Sequence, residues 1–170
     1  MRPAVIARGL WLCLLAWPAL GFAQPTVTTA WVSWVMDGDT LLLVPQGQKE
    51  PVKVRVDGID APESCQPGGE AAREAMIRLA MRKTVQVREF GQDHYGRQVA
   101  QVSIDGVDLG AEMVRTGMAW AYRYRAGAGP YAKLQKRAQE DQRGLFGASE
   151  TAMTPAVFRK FHGSCHAPVN

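Results

Sequence analysis

Three short stretches carry polar side chains whose types and spacing could do chemistry. They are Asp37-Gly38-Asp39-Thr40, the run from Arg55 through Asp57 and Asp60 to Glu63, and Asp93-His94-Tyr95-Gly96-Arg97. Three carboxylates brought together need a cation or a proton among them, because close like charges resist joint ionisation. A hard divalent ion with oxygen ligands meets that need. Two arginines at the same place would be odd in a bare calcium site. They make sense when a third party is anionic, since the planar guanidinium fork matches phosphate oxygens. One metal, two arginines and a spare carboxylate are together suited to phosphodiester cleavage. Metal and arginines would stabilise the charge that grows on phosphorus-bound oxygen, and the carboxylate would orient or deprotonate the attacking water.

Taken singly, each residue has an ordinary use. Asp-Gly between two apolar runs is a hairpin turn. A lone arginine is more often a surface ion-pair partner than a catalytic group. Glu63 could cap a turn, and His94 reads as an exposed turn residue with no role. There is also a geometric obstacle. Arg55 and Asp60 are five residues apart, so an unbroken strand would turn them to opposite faces about 16 Å apart. They share a site only if the strand bends between them, and Gly58 is the place for that bend.

The elements that must position these residues follow from periodicity. Residues 27–36 are rich in β-branched and aromatic side chains and read as a strand, with 39–45 as its hairpin partner. Residues 52–59 alternate apolar and polar, the period of a half-buried strand. DAPESCQPGG, with Pro62, Pro67 and Gly68-Gly69, cannot be regular structure. In the following EAAREAMIRLAMRK, Ala72, Ala75, Met76, Leu79 and Ala80 form one helical stripe, with Glu74 and Arg78 paired on the outside. Strands over 84–90 and 98–104 flank the GQDHYGR turn. A short helix runs from Asp108 to Gly117, and a last helix opens at Pro130 and stops near Gly144. Residues 148–170 give no clear shape. The order is α+β: a small, curled, five-stranded antiparallel barrel with about three packed helices. The oligonucleotide/oligosaccharide-binding (OB) barrel has that strand count and often binds nucleic acid.

The first 23 residues stand apart. Arg2 and Arg8 precede or open an almost wholly apolar run interrupted by Pro18, and small residues precede the polar QPTVTT. This reads as a secretory signal peptide cut after Ala23, the alternative being an uncleaved anchor. It leaves a domain over 24–147 and a tail over 148–170 in an exported, periplasmic or extracellular protein with no membrane contact. The whole chain has 20 basic and 16 acidic residues; without Arg2 and Arg8 the excess falls to +2, too mild to name a partner. Cys65 and Cys165 remain, an even count that suggests a disulfide closing a loop of about 100 residues. Two unpaired thiols, or a zinc site formed by Cys165 with His162 and His166, stay open as alternatives.

DGDT, VRVDGIDAPE and DHYGR, in this order and spacing, resemble the staphylococcal nuclease family, and AQEDQRGLFG resembles the end of its last helix. The resemblance covers about residues 27–147. It implies a five-stranded OB barrel with three helices, and a secreted, monomeric, calcium-dependent phosphodiesterase. Such an enzyme acts on DNA and RNA and leaves 3′-phosphate ends. By the same resemblance Asp39 and Asp60 ligate one calcium ion, joined by the backbone carbonyl of Ala61, where the family's best-known member has threonine. Glu63 matches the glutamate associated with the attacking water, and Arg55 and Arg97 match the arginines on the scissile phosphate. Asp37 and Thr40 match positions beside the metal. Tyr95, Tyr122 and Tyr124 match substrate-facing positions. The best-known member lacks cysteine, so a Cys65–Cys165 bridge would be a departure that pins the tail beside the active-site loop. The competing expectation is a catalytically inactive nucleic-acid-binding module.

Overall fold

The computed structural model describes residues 26–122, 129–147, 153–163 and 165. The expected signal segment and Tyr124 lie outside the described residues. Strands β1 (Val27–Val35), β2 (Thr40–Pro45), β3 (Val52–Val56) and β4 (Ile59–Asp60) precede helix α1 (Gly69–Ala80). Strands β5 (Thr84–Gln92), β6 (Gln98–Ile104) and β7 (Val107–Asp108) lead into α2 (Leu109–Arg115). Then come β8 (Trp120–Ala121), α3 (Ala132–Glu140), a 3-10 turn (Gly144–Gly147) and α4 (Pro155–His162).

The barrel order is β3-β2-β1-β5-β6, closed by pairing of β6 with β3. The expected barrel is present, with one difference. Its closing pair, Val54 to Val56 against Gln98 to Ala100, is parallel, whereas the other four are antiparallel. Parity requires this: strands that alternate in direction around a closed ring of five must meet one neighbour running the same way. That pairing also brings Arg55 beside Val99, two residues from Arg97.

Inward residues of the barrel fill the core, among them Val32, Val35, Leu41, Leu43, Val54, Val56, Val85, Val87 and Val102. Val32 and Val35 are three apart, a spacing that a plain strand would send to opposite faces. The register of β1 against β2 shifts between Val32 and Trp34. The extra residue keeps both valines inside and leaves Trp31 and Trp34 exposed. Along α1, Ala72, Ala75, Met76 and Ala80 are buried, as the apolar stripe predicts.

The tail is where sequence gave least. It contains a fourth helix, α4, whose N-cap Thr154 side chain accepts a bond from the Val157 N–H, with Pro155 at its first turn. Phe158 is buried under it. Cys65 and Cys165 are disulfide-bonded, Cα atoms 5.6 Å apart, so the bridge is formed and neither free thiols nor a zinc site at Cys165 applies. The buried Gln66 donates to the Met153 carbonyl at 2.6 Å, a second tie between the tail and the loop after β4.

Candidate active site

The turn from β1 to β2 holds the first carboxylates. Met36 N–H donates to the Thr40 carbonyl at 2.9 Å, closing the loop. Asp37 Oδ1 accepts the Asp39 N–H at 2.9 Å, the local side-chain bond that makes aspartate a turn residue. Burial, and then the charge of Asp39, push the Asp37 carboxyl up to about 7. Gly38 is required by close approach: a Cβ there would lie 2.6 Å from the Ala61 Cβ and 2.9 Å from the Ala72 Cβ. The turn is thus seated against both α1 and the β4 segment. Asp39, buried, accepts from Thr40 Oγ1 at 3.0 Å on one oxygen and from the Ala61 N–H at 2.7 Å on the other.

The second carboxylate arrives through the bend at Gly58. β3 stops at Val56, and Gly58 has φ +74, a left-handed conformation suited to glycine. The chain then turns so that Arg55 Nη2 reaches Asp60 Oδ1 at 3.2 Å. The same nitrogen lies 3.1 Å from Asp39 Oδ2, and Nη1 is held by the Val56 carbonyl at 2.9 Å. Two carboxylates from separate turns therefore meet at one nitrogen. Burial is the main influence on the Asp60 carboxyl and raises its pKa, with the Arg159 bond pulling the other way.

Glu63 follows in the irregular loop. Its N–H donates to Gln66 Oε1 at 3.2 Å, and Gly69 passes so close that a Cβ there would lie 2.0 Å from the Glu63 carbonyl oxygen. Its carboxylate is taken by a residue that sequence reasoning did not single out. Arg159 of α4 donates from Nη1 to Glu63 Oε1 at 2.7 Å and to Asp60 Oδ1 at 3.1 Å. Its Nη2 donates to Asp60 Oδ2 at 3.0 Å, completing a two-pronged grip on that carboxylate. Burial works against the charge on Arg159, but its bonds to Asp60 and Glu63 outweigh that and push its pKa up. The available signal was indirect: a disulfide two residues after Glu63 implied that something near Cys165 must sit by this loop.

Arg97 is placed differently. Its Nε donates to Asp93 Oδ2 at 2.8 Å, and Asp93 Oδ1 accepts the backbone N–H groups of Tyr95 and Arg97. No hydrogen bond or ion pair among the described residues joins Arg97 to Asp39, Asp60 or Glu63. The strand register nevertheless sets it next to β3, near Arg55. Tyr95 is strongly exposed, with the Arg97 guanidinium 5.3 Å from its ring centre. Tyr122 sits beside the bend, its N–H donating to the Gly58 carbonyl at 2.8 Å.

The donor set suits a hard divalent cation. Asp39 Oδ2 and Asp60 Oδ1 are buried carboxylate oxygens that both lie within 3.2 Å of a single cationic nitrogen, so they already converge on one positive centre. Among the described residues no cluster of three or more His, Cys, Asp or Glu could hold a metal ion. An ion bound by Asp39 and Asp60 would take its further oxygens from backbone carbonyl, for which Ala61 is adjacent, or from water.

With this geometry established, comparison with known proteins is informative. Residues 53–147 match the family model of staphylococcal nuclease homologues. An uncharacterized endonuclease of Haemophilus influenzae is 33% identical over 147 residues, covering 86% of this chain and 82% of that one. A micrococcal nuclease of Shigella flexneri is 35% identical over 138 residues, 74% of this chain and 77% of that one. The probable staphylococcal-like nuclease CAN1 of rice is 37% identical over 111 residues; that is 62% of this chain but 34% of the rice protein.

Proposed function

The chain belongs to the staphylococcal nuclease family, and from that membership we propose that it is an exported, calcium-dependent nuclease that hydrolyses phosphodiester bonds of DNA and RNA. The observation that carries the reading is the convergence of buried Asp39 and Asp60 on one nitrogen of Arg55, with Glu63 linked to Asp60 through Arg159. Two buried carboxylates converging on one point beside a third suit a cation site and a water-activating base, which cleavage needs and binding alone does not.

Asp39 and Asp60 would hold the cation, with the Ala61 carbonyl, while Asp37 and Thr40 fix the Asp39 turn. When bound, calcium supplies positive charge to the phosphate as negative charge develops there. The side chains do the remainder. Arg55 spends one N–H on Val56 and points Nη2 at the carboxylates, which leaves further guanidinium donors for a non-bridging phosphate oxygen. Arg97 is anchored through Nε by Asp93, and with no hydrogen bond to its terminal nitrogens among the described residues, those two nitrogens would serve the same phosphate. Glu63 takes the proton from a water that attacks phosphorus in line with the 5′ oxygen. The bond from phosphorus to that oxygen breaks, the oxygen takes its electron pair and a proton from solvent to leave as a 5′-hydroxyl, and the phosphate stays on the 3′ side. Tyr95, Tyr122 and Tyr124 would stack on or flank bases, contacts that tolerate either sugar and any sequence. Export is supported by the basic-then-apolar start of the sequence and by the Cys65–Cys165 bridge, a bond at home in oxidising compartments.

The test is cleavage of an oligonucleotide by the oxidised protein with calcium or with chelator, alongside Glu63→Gln. Calcium-dependent cleavage leaving 3′-phosphate, cut by about 10²–10⁴ in the variant, is expected. Tight binding without cleavage in calcium would instead make the chain an inactive binding module.

A further inference from the structure

Arg159 lies outside the segment that matches the family model, on a helix that the sequence did not reveal, yet it makes three hydrogen bonds inside the candidate site. Its partners are the two oxygens of Asp60 and one of Glu63. Together with Arg55 on Oδ1, it leaves Asp60 with an arginine on each oxygen. Three of the carboxylate's roughly four acceptor sites are thereby taken, so a cation ligated by Asp60 competes with these bonds and with the two guanidinium charges behind them.

The two arginines differ in how readily they can leave. Arg55 is 14% exposed, springs from the barrel wall and is fixed by the Val56 carbonyl. Arg159 is 35% exposed and reaches in from outside the barrel. Its helix has 8 residues, below the length at which a helix is stable by itself, so it is held by docking. Three ties do this: the buried Phe158, the Gln66 to Met153 bond, and the Cys65–Cys165 bridge two residues beyond Glu63. The bridge keeps the guanidinium at high local concentration beside Asp60 without making it part of the barrel.

We propose that α4 is a disulfide-tethered latch on the cation site: Arg159 occupies the carboxylates of Asp60 and Glu63 until a divalent ion displaces it from Asp60. The proposal rests on the reading of Asp39 and Asp60 as the cation ligands. The Arg159 guanidinium and the ion are like charges drawn to the same carboxylate, so each weakens the other's hold on Asp60 by the same factor. The same movement frees Glu63 to engage water. Cation demand then depends on the thiol state of Cys65 and Cys165, since cutting the tether lowers the local concentration of Arg159.

Calcium binding to the oxidised mature chain, measured by titration calorimetry and without substrate, tests this. The variants are Arg159→Gln and Cys165→Ser, with circular dichroism as the control for folding. Arg159→Gln is expected to bind calcium roughly tenfold more tightly than wild type, the worth of about one charge-assisted bond. Cys165→Ser, which keeps Arg159 but cuts the tether, is expected to shift in the same direction by less. It also carries the test if Arg159→Gln fails to fold. Equal affinity in all three proteins overturns the latch and leaves the cation reading standing. Absence of calcium binding in all three overturns both. Unchanged calcium affinity with weakened oligonucleotide binding in Arg159→Gln puts Arg159 on the phosphate and overturns the latch.

Discussion

Replacing Arg55 by methionine keeps an apolar stem of similar reach and removes the charge. In the folded chain one Arg55 nitrogen bridges Asp39 and Asp60 at 3.1 and 3.2 Å. The bridged oxygens can be no farther apart than those two contacts laid end to end, about 6.3 Å. At that separation two unit charges repel by about 2.6 kcal/mol at an effective dielectric constant of ~20. Removing one partner of a buried pair costs about 3–5 kcal/mol in general. Arg159 stays on Asp60 and moderates the loss, so about 3 kcal/mol is expected at neutral pH without metal. For a domain of this size that lowers Tm by about 6–12 °C. The loss has a pH signature. Burial already raises the Asp60 pKa, and Arg55 is among the charges that hold it down. Without Arg55 the folded value rises further above the unfolded one, near ~3.9. A carboxyl shifted in that direction costs stability as pH rises from the unfolded value through the folded one. The gap between Arg55→Met and wild type should therefore widen as pH rises from near the unfolded carboxyl value toward neutrality. Thermal melts followed by circular dichroism in chelator, in acid and at neutral pH, measure it. A gap under ~1 kcal/mol, or one that does not grow with pH, refutes the claim that Arg55 neutralises two converging carboxylates.

Asp39→Ala should abolish calcium-dependent cleavage, whereas Asp37→Ala, which loses only a turn bond to the Asp39 N–H, should weaken it less. Rates at saturating calcium separate the two, and equal losses would contradict the division of roles. Asp93→Asn removes the anchor of Arg97 and should reduce kcat/KM on oligonucleotide by about tenfold or more, the worth of one charge-assisted bond. Arg97 lowers the Asp93 pKa against a burial effect that raises it, so the stabilising part of this pair is present above the unfolded carboxyl pKa and fades as pH falls below it. Melts of Asp93→Asn and wild type should accordingly converge in acid.

What the sequence made legible was local. The Asp-Gly hairpin, the strand alternation of β3 and the apolar stripe of α1 are short-range patterns, and each appears where its period puts it. The bend at Gly58 was readable because two residues with a shared chemistry were misplaced by plain strand geometry, and a glycine lay between them. The bulge in β1 left no comparable mark, since Trp31 and Trp34 outside and Val32 and Val35 inside fit neither a strict two-residue period nor a helix. Helix α4 had a cap and a proline in place, but 8 residues hold too little pattern to stand out, and its stability comes from docking. Arg159 was out of reach for a simpler reason. Its partners are 96 and 99 residues away in the chain, and nothing in one sequence marks a pairing at that range.

The separation of 100 residues between Cys65 and Cys165 also sets a schedule. Chains are made at about 5–20 residues per second, so Cys165 emerges roughly 5–20 s after Cys65. The last barrel strand, β6, ends at Ile104, well before the tail. Every barrel strand has been made before Cys165 exists to pair with Cys65, so the bridge is a finishing step.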